Sequence, residues 1–107
     1  MRARPRAGRG APGNLRTWTF VTNHAQVLLA VAREPELRVQ QIARSVGITE
    51  RSAYRILSDL VEAGYLSRKR VGRHNQYQLD PALPLGDPVV GMHTVSELLE
   101  ALEAQPH

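Results

Sequence analysis

The 107-residue chain contains no cysteine, and that absence removes disulfides, thiolate metal sites and a cysteine nucleophile together. No apolar run approaches the roughly 18 residues needed to span a bilayer, so no membrane span is expected. Paired carboxylates, a nucleophile elbow and a glycine-rich phosphate loop are all missing. Gly8 to Gly13 has neither a preceding strand nor the required spacing. The chain therefore reads as no enzyme and as needing no cofactor. The four histidines, His24, His74, His93 and His107, lack the spacing of a metal site, and none is assigned to metal. Aromatics are few, and Trp18 and Phe20 lack the basic surroundings of a base-stacking platform, which leaves them as packing residues.

Basic residues are absent from the last quarter of the chain. Residues 1–80 hold all 14 Lys and Arg against six acids, a balance of +8; residues 81–107 hold four acids and no Lys or Arg, a balance of −4, and the sum is the overall +4. So concentrated a positive charge fits a polyanionic partner. The basic start lacks the apolar stretch and cleavage site of a secretory signal, so the expected location is cytoplasmic. A chain of this length fits one compact domain with a tail.

Four segments follow from composition and period. Residues 1–14, rich in Arg, Gly and Pro, cannot repay their ordering entropy and are expected to form a flexible arm. Residues 15–80 hold the main domain. In it, Val21, Ala25, Leu28, Leu29 and Ala32 recur at helical spacing behind a cap at Thr22 or Asn23, and Pro35 ends the run. Leu37 to Val39 is either a brief strand or an extended lead-in. Val39, Ile42, Ala43 and Val46 then share a second helical face that closes at Gly47. Thr49 caps a third helix over about 49–63, with Glu50 placed to complement the helix dipole. Two helices joined by a short Gly-containing turn have the composition of a helix-turn-helix. Two extended runs around Leu66 and Tyr77, with Val71 to Asn75 between them, predict a β-hairpin with a basic tip. Residues 81–93, with three prolines and two glycines, predict an extended connector. Residues 94–105 predict a last helix, opened by the capping box Thr94–Glu97 and striped by Val95, Leu98, Leu99 and Leu102.

The third helix has two unlike faces. Ala53, Ile56, Leu57, Leu60, Val61 and Gly64 fall within an arc of about 140°, the buried side, and Arg51, Tyr54, Arg55 and Ser58 within about 100° opposite. A merely solvated face mixes signs along its length. Here the arginines, serines and tyrosine fill the N-terminal half, and Asp59 and Glu62 the remainder. The N-terminal half is the part that a DNA-reading helix points into the major groove.

The stretch from Leu37 to Leu79, with its "IARSVGITERSAYRILSDLVEAGYL" core and "RKRVGRHNQY" hairpin, resembles the winged helix-turn-helix of MarR-like and ArsR-like transcription regulators. The likeness runs from about Leu15 to Leu79. It implies a mainly α fold with a small β-hairpin (α+β), here with an additional C-terminal helix. It also implies a dimeric, sequence-specific regulator of double-stranded DNA. By position, Thr49, Arg51, Ser52, Tyr54, Arg55 and Ser58 would face the major groove. Arg68, Lys69, Arg70, Arg73 and His74, within a wing over 67–75, would meet the backbone or minor groove. Arginine suits guanine O6 and N7, and serine or threonine either a base edge or a phosphate. A short last helix needs a partner surface, so Trp18, Phe20, Val95, Leu98, Leu99 and Leu102 are expected to meet, within one chain or across the two-fold axis of a homodimer. The alternative is a winged-helix protein-interaction module without specific DNA binding.

Overall fold

The order of elements follows from where the chain can start and stop a helix. The computed structural model describes residues 18–103; the predicted arm over 1–14, and the ends predicted for the main domain and last helix, lie outside the described residues. Thr22 Oγ1 accepts from the Ala25 N–H and starts α1 (Asn23–Arg33). Arg38 is extended and Val39 already helical, so the segment before α2 (Val39–Val46) is a lead-in, and the alternative of a brief strand is set aside. Arginine has no acceptor for a cap, but Gln41 Oε1 accepts from the Arg38 N–H at 2.9 Å. Gly47 ends α2 at φ +86°, a left-handed turn that a side chain would strain. Thr49 then opens α3 (Glu50–Glu62). At the far end of α3 the Tyr65 N–H reaches Leu60 O and the Gly64 N–H reaches Val61 O, the Schellman pair that turns the chain out of the helix.

An antiparallel hairpin follows, β1 (Leu66–Val71) and β2 (His74–Leu79), with Leu66 opposite Leu79 and Val71 opposite His74. Its turn is Gly72–Arg73 alone, shorter than the Val71–Asn75 tip expected. Gly72 takes φ +61° and Arg73 stays negative, as in the type II′ turn that matches strand twist. His74 and Asn75 therefore belong to the ladder. Among the described residues the architecture is α+β: four helices and a two-stranded hairpin, a winged helix-turn-helix.

The core gathers Val27, Leu28 and Val31 of α1, Ile42 and Ala43 of α2, Ala53, Ile56, Leu57 and Leu60 of α3, with Leu66 and Tyr77 from the hairpin. The last helix, α4 (Val95–Glu103), joins the same core. Val95 is wholly buried and Leu99 packs against the cluster. Val95 is thus removed from the set expected to meet a second chain, since the chain's own core covers it. The capping box is present: Thr94 N–H donates to Glu97 Oε1 at 2.8 Å and Glu97 N–H to Thr94 Oγ1 at 3.2 Å. The first of these bonds, with the His93 ring next, holds the Glu97 carboxyl below its ordinary value.

Residues 81–93 are folded, not simply extended. Leu85 N–H donates to His93 O, and Gly86 and Gly91 close a turn through bonds of 2.7–2.8 Å. Proline removes a donor but keeps its carbonyl. Pro81 O accepts from the Ser96 N–H, Leu83 O from the Val95 N–H, and Pro84 O and Leu85 O share the Tyr65 hydroxyl proton at 2.9 and 3.1 Å. Tyr65 thus ties the end of α3 to the segment that carries α4.

Removing that hydroxyl by Tyr65→Phe is expected to lower unfolding free energy by about 1 kcal/mol. Urea denaturation measures the loss. Hydrogen exchange should quicken at the Leu85 and Val95 amides while Leu57 stays protected; unchanged exchange at Leu85 and Val95 would show that the hydroxyl does not hold the connector.

Candidate nucleic-acid interface

Helix α3 turns its apolar stripe inward, so its other face is necessarily presented outward. Arg51, Ser52, Tyr54, Arg55 and Ser58 are all exposed, Tyr54 by 50% despite its size. Thr49 is exposed too, but its hydroxyl is engaged. Oγ1 accepts from the Ser52 N–H at 3.0 Å and donates to Ser52 Oγ at 3.0 Å. That pair satisfies one backbone N–H at the start of the helix and leaves the Ser52 hydroxyl hydrogen and a lone pair of each oxygen for other partners.

Hairpin register distributes the wing residues. Arg68 lies opposite Tyr77, and its guanidinium sits over that ring at 5.7 Å. Arg70 lies opposite Asn75 and donates from Nε to Gly72 O at 3.1 Å, which stiffens the turn. Lys69, opposite Gln76, lies on the other face, in a groove with Val31, Pro35 and Glu36 from α1 and the loop after it. Arg73 stands in the turn and His74 is half-buried beside it.

A cleft of about 340 Å³ joins three elements: Arg38 and Gln40 at the start of α2, Glu50 and Tyr54 at the start of α3, and Arg70, Arg73, His74 and Asn75 of the hairpin. Of the residues singled out from sequence, it brings together Tyr54, Arg70, Arg73 and His74. Arg51, Arg55 and Ser58 lie on the open face of α3 outside it, and Arg68 and Lys69 are elsewhere on the hairpin. Arg38, Gln40, Glu50 and Asn75 were not foreseen. The register would have found Asn75, had the turn been placed at Gly72–Arg73. Arg38 and Gln40 carry only the signal of flanking a helix start. The cleft offers three guanidiniums, an imidazole and two amides around one carboxylate, a surface suited to phosphate and base edges.

Residues 21–70 match the IclR helix-turn-helix domain. The match takes in α1, α2, α3 and most of β1, and it supports a winged helix-turn-helix DNA-binding regulator. It does not extend to the narrower MarR-like and ArsR-like resemblance. The apolar skeleton behind that resemblance specifies how three helices and a hairpin pack, which does not sort one kind of regulator from another. A comparison with curated proteins returns no match. Among the described residues, no helix is long and apolar enough to cross a membrane. The IclR-type segment ends at Arg70, so β2, the folded connector and α4 lie beyond it.

The Thr49–Ser52 pair makes one clear demand. Thr49→Ala should cost about 1 kcal/mol of stability through loss of the cap. Thermal or urea unfolding measures it, and Thr49→Ser should recover most of the loss; equal stability of all three forms would show that the cap contributes nothing.

Proposed function

We propose that the protein is a sequence-specific double-stranded DNA-binding transcription regulator. Residues 49–63 enter the major groove, and the wing over 67–75 meets the backbone or minor groove. The observation that carries this reading is the outward face of α3, where Arg51, Tyr54, Arg55 and Ser58 stand exposed beside a cleft that adds Arg70, Arg73 and His74. In this reading Arg51 and Arg55 hold bases, Ser52 and Ser58 bond base edges or phosphates, Thr49 offers a lone pair to a base-edge donor, and Arg68, Lys69, Arg70 and Arg73 neutralise phosphates. His74 adds a hydrogen bond to the backbone. The domain over 15–80 is the DNA-binding unit, 1–14 a basic arm, and the working location is the cytoplasm, on the nucleoid when bound. Nothing in this role requires catalysis or a cofactor.

The protein acts as a homodimer in the same reading. Trp18 and Phe20 meet edge-to-face at 4.8 Å, yet Phe20 is 81% exposed and Trp18 55%. Phe20 lines one groove with Leu29, Val46, Ile48 and Leu102. With Val95 taken by the core, the residues left for pairing are Trp18, Phe20, Leu98, Leu99 and Leu102, of which Leu99 is already partly covered. Two-fold pairing suits half-sites about one helical turn apart.

Electrophoretic shift with fragments from upstream of the protein's own gene, against excess random duplex, tests the reading. Arg51→Ala and Arg55→Ala should each weaken specific binding by about 1–3 kcal/mol, and random binding less. Binding should fall with salt at a log-log slope of about 0.9 per phosphate neutralised. A flat salt dependence would favour the protein-interaction module instead. For the dimer, Phe20→Glu should sediment as a folded monomer at concentrations where the parent is a dimer; an unchanged dimer would put the interface elsewhere.

A further inference from the structure

Glu50 is the only carboxylate among the residues that line the cleft between α2, α3 and the hairpin. It is exposed, and among the described residues its carboxylate has neither a hydrogen-bond partner nor an ion pair, although Arg38, Arg70 and Arg73 line the same cleft. The Thr49–Ser52 cap bonds do not involve its carboxylate, which is left to complement the helix dipole and to face the cleft. Four residues on, Tyr54 lies on the same flank of the helix. An unpaired acid on a surface that meets DNA is costly near phosphates and repels nonspecific duplex. It is compensated where it meets a donor, since an ionised carboxylate can only accept.

We infer that Glu50 is a specificity-determining residue that selects a C·G pair by accepting the cytosine N4 amino group in the major groove. This rests on the DNA-binding reading above. Two bases offer an amino group there, and their neighbouring atoms separate them. Adenine sets its N7 acceptor beside the N6 donor, which suits an amide with both functions and opposes the second oxygen of a carboxylate. Cytosine presents the donor alone. Glu50, the first residue of α3, stands at the end of the helix that enters a groove deepest. The same charge lowers affinity for every sequence that lacks a donor at that position, so it sharpens choice at the expense of random binding.

Selection from a random duplex library by the full chain tests this, run beside Glu50→Ala and Glu50→Gln. The parent should enrich cytosine at one position of the bound sequence. Glu50→Ala should lose that preference by on the order of tenfold and bind random duplex more tightly. Glu50→Gln should move the preference toward adenine, whose N6 and N7 match an amide. If Glu50 serves only the helix dipole, both variants will change melting temperature and leave base preference as in the parent, which overturns the inference. If the parent enriches no sequence at all, the DNA-binding reading fails together with it.

Discussion

Everything outward on α3 depends on what its inner face touches. Ala53, Ile56, Leu57 and Leu60 are buried against α1 and α2, Leu57 completely. Burial of a side chain of that size contributes on the order of 1.5–3 kcal/mol. The polar link between α1 and α3, His24 to Asp59 at 2.8 Å, joins groups that are each about half exposed, a class of contact that contributes about 0–1 kcal/mol. The apolar seam therefore sets the rotation of α3 about its axis. Because the seam occupies one side, Arg51, Tyr54, Arg55 and Ser58 have no choice but to face out together.

That division was legible in the sequence because it is periodic, and so were the caps, because each is local. Thr22, Thr49 and the Thr94–Glu97 pair satisfy N–H groups only three residues away, a distance that a sequence displays directly. What could not be read was set by partners far along the chain. Three prolines implied an extended connector, yet their segment folds because Tyr65, about twenty residues earlier, donates to Pro84 and Leu85. The cleft was hidden for the same reason. Arg38, Glu50 and Asn75 belong to three elements, and only the packing of the hairpin beside the helix pair brings them to one place. The kind of regulator is not legible in the apolar spacing, because that spacing reports packing, and packing is what related helix-turn-helix folds share.

Charge is distributed unevenly along the chain. The start of α3 and the hairpin gather Arg51, Arg55, Arg68, Lys69, Arg70 and Arg73, while residues 81–107 hold no basic side chain. In the DNA-binding reading, the basic residues of α3 and the hairpin attract a duplex before any close contact forms.

Glu50 differs from Asp59 and Glu62: it complements the dipole at the start of α3, and it also stands in the arginine-lined cleft. Those two lie in the C-terminal half of α3, where Asp59 is engaged with His24 and a groove-bound helix start would not carry them to base edges. Glu50 lies at the start, among arginines, with no partner of its own among the described residues. A protein that only needed affinity for DNA would gain by losing this charge, because each carboxylate near the backbone opposes the counterion release that drives nonspecific binding. Discrimination is a difference of affinities, and an acceptor-only group penalises every base edge except one that donates. In the proposed reading, one acid inside an arginine-lined cleft serves choice among sequences, which mere adhesion to DNA does not need.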